Sequence, residues 1–187
     1  MPAKIVLDSN VLYSARLRDL WMELGVAGLV SLVWTDRIEA EWIAAVLRSR
    51  PNLQDHLRRT ASLMRQVLPE ACVAVDPAAE AAILLPDPDD RPVVAAATAS
   101  SAEAIVTSNV ADFSVDVFGL LNIEIITPDA YLLRVATDDN EGFLAAAAAV
   151  RARLRSPAID ATSYAAGFTR AGCPGIATWL GARSSQF

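Results

Sequence analysis

Four acidic residues stand where a folded chain could use them for chemistry. Asp8 ends the first apolar strand-like run, and Glu41 lies within an apolar helical segment. Asp90 closes an acidic turn, and Asp112 follows a later buried strand. Open parallel sheets bind ligands just beyond the carboxyl ends of their strands, and oxygen ligands from distant segments suit a hard divalent cation. The pattern therefore predicts a site for Mg2+ or Mn2+.

These acids also have structural explanations. Asp8 could simply cap the next helix, as could Asn10. An acid in the first turn of the helix after the acidic segment would interact favourably with the helix dipole, a role that fits Asp89. Glu41 falls on the core-leaning face of its helix, whereas Glu39 has the position of a solvated first-turn acid. Because a buried acid needs a cation or a hydrogen-bonding partner, this contrast favours Glu41 as the functional residue.

Composition limits the classes of protein that fit. The 187 residues, 53% of them hydrophobic, suffice for one domain with a sizeable core. The single histidine and the two distant cysteines belong to no metal-spaced group, which excludes zinc chemistry. The formal net charge of −6 argues against strong nonspecific nucleic-acid binding, although metal-binding carboxylates would contribute to that excess. Neither a membrane span nor a signal segment is recognisable, so a cytoplasmic location is expected.

Short apolar runs alternate with helical segments as far as residue 128. Strands are predicted at 5–7, 32–34, 72–75, 104–107 and 123–126, and one helix is predicted over 11–28. Continuous apolar strands separated by helices predict an α/β fold, a three-layer α/β/α arrangement around a central parallel sheet. After Pro128 only helical patterns remain. We therefore predict a catalytic unit over residues 1–128 and a helical C-terminal extension over 129–187.

Four segments, taken in order, resemble the PIN-domain ribonucleases, particularly the VapC-like toxins of bacterial toxin–antitoxin systems. The segments are Val6-Leu7-Asp8-Ser9-Asn10-Val11-Leu12, Glu41 with Val46-Leu47, Asp87-Pro88-Asp89-Asp90 leading into Val93-Val94-Ala95-Ala96-Ala97, and Ile105-Val106-Thr107-Ser108-Asn109 with Asp112-Phe113. The helical tail is similar to the C-terminal extension of one subset of these toxins. The resemblance thus spans the predicted catalytic unit and its extension.

The resemblance implies a PIN-like fold, with Asp8, Glu41 and Asp90 as the principal metal-organising acids. The fourth acid of the family usually follows the Val-Thr strand directly, and in this chain that position is Asn109. Asp112, one turn later, could supply the missing charge. The fourth acidic position therefore stays open between Asn109 and Asp112.

The mechanism expected from these residues is phosphodiester hydrolysis with one or two divalent ions. Asp8 and Asp90 would ligate the first ion, and Glu41 would hold or deprotonate the attacking water. Asp112 would complete the ring of acids. Three neutral side chains would orient the ligands or the phosphate by hydrogen bonding: Asn10, Thr107 and Asn109.

The expected substrate is single-stranded or looped RNA, whose phosphates and bases can be splayed into a cleft. The acidic pocket also predicts a small basic antitoxin as partner, with an Arg that pairs with Asp8 or Asp90. A homodimer is left open, and no membrane partner is expected.

Two other functions fit parts of the pattern. A phosphohydrolase of the HAD-like kind also begins with a strand that ends in Asp, but it needs a second Asp where this chain has Asn10. A catalytically inactive PIN-like module that binds RNA or a protein is favoured by Asn109. Metal-dependent cleavage of RNA distinguishes these alternatives.

Overall fold

The computed structural model describes residues 2–85, 88–113 and 122–187, apart from the side chain of Asp112. Four short parallel strands form its sheet: β1 (Lys4–Leu7), β2 (Ser31–Val33), β3 (Ala104–Val106) and β4 (Glu124–Ile126). Their order across the sheet is β2-β1-β3-β4. Val6 of β1 lies opposite Val33 of β2 on one side and Ile105 of β3 on the other. The two central strands are buried, as their continuous apolar sequences predict.

Helices connect these strands in a way that fixes the layers. The chain leaves β1 for β2 on one side and then crosses back over β1 to reach β3 on the other. Crossovers between parallel strands are right-handed, so opposite directions of travel place their helices on opposite faces of the sheet. This arrangement is the three-layer α/β/α fold that the sequence predicts.

Ten α-helices lie in the described part of the chain. Six belong to the region before β4: α1 (Ser9–Tyr13), α2 (Ala15–Val26), α3 (Asp36–Ser49), α4 (Gln54–Val67), α5 (Pro77–Ala81) and α6 (Arg91–Ser100). Four follow β4: α7 (Pro128–Asp138), α8 (Asn140–Arg153), α9 (Ala161–Arg170) and α10 (Pro174–Gly181). No helix among the described residues has the length and apolar character needed to cross a membrane.

Two predicted elements are wrong. Cys72 makes only an isolated parallel bridge with Trp34, and residues 72–75 form no strand. The chain turns away because Asp76 caps α5, which starts at Pro77. The helix predicted over 11–28 is divided at Ser14, whose backbone is extended and whose hydroxyl accepts a hydrogen bond from Leu17 N. This break turns the chain shortly after the predicted site residues Asp8 and Asn10.

Arg18 holds the helices around this break together. It is 5% exposed, and its guanidinium donates to the Leu12 carbonyl at 2.7 Å. The guanidinium carbon lies 4.5 Å from the ring centroid of Trp42 on α3. A cation over an indole face is favourable, and the carbonyl bond offsets part of the cost of burying the charge. Arg18 thereby fixes α1, which follows Asp8, relative to α3, which carries Glu41.

The C-terminal helices share a hydrophobic core with α2, against which α8 and α9 pack directly. Phe143, Tyr164 and Phe168 are fully buried in the same cluster as the sheet residues. Arg16, at the start of α2, donates to the Tyr164 carbonyl at 3.1 Å and lies over the Tyr164 ring. The extension is thus joined to the helix that begins next to the candidate site. Its treatment as a separate domain from residue 129 remains a prediction.

Asp129 joins the first and last helices of the extension. Its two carboxylate oxygens accept hydrogen bonds from Gly175 N at 2.9 Å and Ile176 N at 2.8 Å, which are first-turn amides of α10. Amides at a helix start have no partner within the helix, so a carboxylate that accepts from them acts as a cap.

Replacing Asp129 with Ala should lower the free energy of unfolding by about 1–2 kcal/mol, because two amides of α10 lose their acceptor. Thermal unfolding followed by circular dichroism measures the effect. Asp138→Ala, at an exposed position on the same helix, is the matched control and should change the melting temperature little. Equal melting temperatures for the two variants would contradict the capping role.

Candidate active site

The candidate site lies where the sheet order changes direction, between β1 and β3. The chain proceeds from β1 outward to β2 and later returns to β3 on the other side of β1. Ligands of open α/β sheets bind in the crevice at such a switch point, beyond the carboxyl ends of the strands. Asp8 follows β1 directly, and Thr107 follows β3 directly. Their backbones adjoin, since Asp8 N donates to the Val106 carbonyl at 3.1 Å.

Asp8 is held by two neutral side chains. Its Oδ2 accepts from the Thr107 hydroxyl at 2.7 Å and from Asn10 Nδ2 at 2.5 Å. The residue is 7% exposed, and its side chain makes no capping bond to α1, although it stands at the N-cap position. Capping is therefore not what the Asp8 carboxylate does in this fold.

Thr107 is the centre of this hydrogen-bonded group. Besides donating to Asp8, its Oγ1 accepts from Asn10 Nδ2 at 3.0 Å and from Asn109 N at 3.1 Å. A hydroxyl has one donor and two acceptor sites, so the Thr107 hydroxyl is fully satisfied. Asn10 adds a further connection, because its Oδ1 accepts from Ser108 N at 3.0 Å. The ends of β1 and β3 are thus tied together around one carboxylate.

The other carboxylate oxygen of Asp8 remains open. Both donors reach Oδ2, and in the described part of the chain none reaches Oδ1. Within the same residues, Asp8 forms no ion pair with Lys or Arg. A buried carboxylate ordinarily requires a cation or full hydrogen bonding. An incoming cation at Oδ1 would satisfy that requirement.

Burial and neighbouring charges, including that of Asp8, shift the pKa of Glu41. Its side chain is half-buried on α3, and Arg37 Nε donates to its Oε1 at 3.3 Å. Burial raises the pKa of Glu41 above its ordinary value of 4.5, Arg37 lowers it, and the negative charges of Asp8 and Asp89 raise it further. The net effect is a raised pKa, so the folded protein holds the proton of Glu41 more tightly than the unfolded chain does.

The expected contrast between Glu39 and Glu41 is reversed. Glu39 is the more buried residue, 9% exposed, and it accepts two hydrogen bonds from Arg65 of α4 at 3.0 and 2.8 Å. The buried positions of α3 include Ile38, Glu39 and Trp42, a face rotated from the one that the sequence pattern suggests. Glu39 therefore belongs to the contact between α3 and α4, whereas Glu41 lies at the edge of the core, where a ligand can reach it.

The structure describes the other predicted acids only in part. Asp90 occupies the N-cap position of α6 without a side-chain capping bond, and Asp89 precedes it in a short 3-10 helix. Asp87 lies outside the described residues, as does the side chain of Asp112, which ends a 3-10 helix that follows Asn109. Asn109 is exposed beside the Thr107 group.

No three carboxylate, histidine or cysteine groups among the described residues stand close enough together to form a metal site. The charges of Asp8 and Asp89 nevertheless act on Glu41 and contribute to its raised pKa. The donors present are carboxylate, amide and hydroxyl oxygens, which match the preference of Mg2+ and Mn2+. Chemically the group suits a hard cation, whereas the described side chains do not form a closed ligand shell.

Sequence reasoning missed Arg37, which is ion-paired with Glu41, and Glu80, which is ion-paired with Arg37. The spacing of four residues between Arg37 and Glu41 on a helix is a readable signal for an ion pair. The contact of Arg37 with Glu80, 43 positions later, has no such signal. Asp89 was expected only to complement a helix dipole, yet its charge reaches Glu41.

The fold is a three-layer α/β/α arrangement, and the candidate site places a carboxylate at the switch point of its parallel sheet. Residues 4–111 match the model of the PIN domain, and residues 128–182 match that of the VapC50 C-terminal domain. The chain therefore belongs to the PIN-domain family, as a VapC-like member with a C-terminal extension. At the level of the family this means a nuclease toxin, and the HAD-like alternative is left without support. Neither a curated protein nor a solved structure matches the chain.

Glu41→Gln should change stability in a pH-dependent way. Folding raises the pKa of Glu41, so the folded protein binds this proton more tightly than the unfolded chain does. The wild type therefore loses stability as the pH rises from 4.5 through the higher pKa of the folded state. The variant should match the wild type near pH 4 and gain on it progressively towards about pH 7. Melting temperatures measured across this interval in metal-free buffer provide the test.

Glu39→Gln is the control on the same helix. It loses the two bonds to Arg65 and should melt below the wild type at neutral pH. If Glu41→Gln melts below the wild type at neutral pH, the electrostatic description of the site is incorrect.

Proposed function

We propose that this protein is a divalent-metal-dependent endoribonuclease and the toxin of a toxin–antitoxin pair. The observation that carries the proposal is the state of Asp8. Its carboxylate is buried at the switch point, oriented through Oδ2 by Thr107 and Asn10, and open at Oδ1. Orienting bonds on one oxygen are the usual support for a carboxylate that binds a metal with the other.

The proposed ligands of Mg2+ or Mn2+ are the four acids Asp8, Glu41, Asp90 and Asp112. Three observations support this set: Asp8 directly follows β1, its charge acts on Glu41, and Asp90 stands at the N-cap position of α6. A bound divalent cation would activate water and neutralise charge on the scissile phosphate.

Glu41 is proposed to hold the attacking water and to accept its proton. A general base is most effective when its pKa lies near the working pH, and burial moves the pKa of Glu41 in that direction. Thr107 and Asn10 keep Asp8 in one orientation, while the exposed amide of Asn109 is available to the phosphate.

The alternative is a PIN-like module without catalytic activity that binds RNA or a protein. Two observations favour it: Asn109 stands where the family usually has an acid, and the described residues contain no complete metal cluster. We prefer the proposal of an active nuclease because Asp8 is oriented by Thr107 and Asn10 and forms no ion pair with a described Lys or Arg. A carboxylate fixed through one oxygen and open at the other is arranged as a metal ligand, a property that an inactive module would not need.

RNA is the proposed substrate class, in single-stranded or looped form. The small basic antitoxin is the proposed partner, since the acids around Asp8 and Glu41 attract a cationic side chain. An Arg of the antitoxin would take the place of the metal at Oδ1 of Asp8 by a charge-assisted hydrogen bond.

Asp8→Asn should abolish metal-dependent cleavage of a single-stranded RNA while the protein still folds. The amide oxygen can accept from Thr107, but the charge that holds the cation is lost. A decrease of at least about 100-fold is expected, beyond the 10- to 100-fold effect typical of residues that only orient ligands. Cleavage is measured with Mg2+, with Mn2+ and with EDTA, and Asp55→Asn, an exposed acid on α4, is the control.

Cleavage by Asp8→Asn at the wild-type rate would overturn the proposed site, and absence of cleavage by the wild type would favour the inactive module.

The same assay decides which residue fills the fourth acidic position. Asp112→Ala should lower the rate more than Asn109→Ala if the carboxylate has moved one turn along the chain, and the reverse order would assign the role to Asn109.

A further inference from the structure

Arg37 lies on α3 one turn before Glu41 and contacts two carboxylates. Its Nε donates to Glu41 Oε1 at 3.3 Å, and its Nη1 makes a short ion pair with Glu80 of α5. Glu80 is the more buried partner, with a side chain 18% exposed, whereas that of Arg37 is 49% exposed. Among the described residues, Arg37 is the only cationic side chain that is ion-paired with Glu41.

The two contacts of Arg37 differ in their surroundings. The bond to Glu41 is near the long limit for a hydrogen bond and lies within α3, whereas the bond to Glu80 joins α3 to α5 at the more buried carboxylate. Glu80 also stands on a fixed support, because α5 begins at Pro77, is capped by Asp76 and packs against α6. Glu80 therefore anchors Arg37, and Glu41 could turn towards a cation or a water without releasing it.

The guanidinium keeps donors for a further ligand. Of its five N–H groups, one is used by Glu41 and one by Glu80, so three remain. The exposed half of the side chain gives them access to solvent. A planar group with several free donors matches the oxygens of a phosphate and can bind them in a bidentate manner.

The acids around Glu41 and the RNA backbone carry charge of the same sign. Asp8 and Asp89 add negative charge around Glu41, and the backbone of RNA is negative as well. A polyanion therefore needs a protein cation beside the acids in addition to any metal. Arg37 is already at that place, and its contacts with Glu41 and Glu80 use only two of its five N–H groups.

We propose that Arg37 binds a backbone phosphate of the RNA next to Glu41, with Glu80 as the anchor that keeps it there. This inference rests on the proposed function and names a substrate-binding residue for it. Arg37 is absent from the set of acids and amides that the sequence pattern identifies. Its contribution is to binding of the polyanion, and the water and the cation remain with Glu41 and Asp8.

The test measures RNA binding in the Asp8→Asn background, which prevents cleavage. A fluorescein-labelled single-stranded RNA is titrated by anisotropy in Mg2+ buffer at several salt concentrations. Adding Arg37→Ala should weaken binding about tenfold, as for the loss of a charge-assisted contact. The slope of log K against log salt should fall by about 0.7, the value for one phosphate of a single strand.

Arg48→Ala is the matched control, because Arg48 is exposed on the same helix. It should change neither the affinity nor the slope by a comparable amount. Arg37→Lys should retain the slope, since the charge is kept, but should bind more weakly than the parent because the fork is lost.

Calorimetric titration of Mn2+ separates phosphate binding from a structural role. If Arg37 binds phosphate, Arg37→Ala in the otherwise wild-type chain should bind Mn2+ at least as tightly, because a neighbouring positive charge is removed. Weaker Mn2+ binding by Arg37→Ala, or a salt slope equal to that of Arg48→Ala, would overturn the inference.

The outcomes also distinguish this inference from the proposed function. Wild-type cleavage with an unchanged affinity and slope for Arg37→Ala would remove only the role of Arg37. Absence of both cleavage by the wild type and RNA binding by Asp8→Asn would remove the proposed function together with it.

Discussion

The hydrogen bond from the Thr107 hydroxyl to Asp8 Oδ2 is the contact on which the site depends. It joins the carboxyl ends of β1 and β3, the two neighbouring strands at which the sheet changes direction. Asn10 reinforces it by donating to both residues and accepting from Ser108 N. The result is one carboxylate with a fixed orientation and one free oxygen. The helices around it, including α1 and α3 with Arg18 between them, maintain that geometry.

The acids of the site repel one another, and the protein manages that repulsion with arginines. Arg65 donates two hydrogen bonds to Glu39 and so compensates its negative charge at the contact between α3 and α4. Arg37 offsets Glu41 only in part, since burial and the charges of Asp8 and Asp89 still raise the Glu41 pKa. Strain of this kind is typical of functional sites, because the remaining negative potential is relieved only by a cation or a proton.

Sequence reasoning predicted the strands and the position of Asp8 because these follow from continuous apolar runs and from the rule about carboxyl ends of parallel strands. It failed at Glu39 and Glu41, because the rotation of α3 is set by Arg65 and Trp42, contacts between elements that a local pattern does not contain. For the same reason it missed Glu80. The strand predicted at 72–75 failed because capping of α5 by Asp76 competes with pairing to Trp34.

Locating bound Mn2+ by its anomalous scattering in crystals of the wild type and of Asp8→Asn tests the central claim most directly. The account predicts a Mn2+ ion within bonding distance of Asp8 Oδ1 in the wild type, with Glu41 on the same side of the ion, while Thr107 and Asn10 stay bonded to Oδ2. It predicts no ion at that position in Asp8→Asn. A Mn2+ ion bound away from Asp8, or an equally occupied site in both proteins, would contradict it.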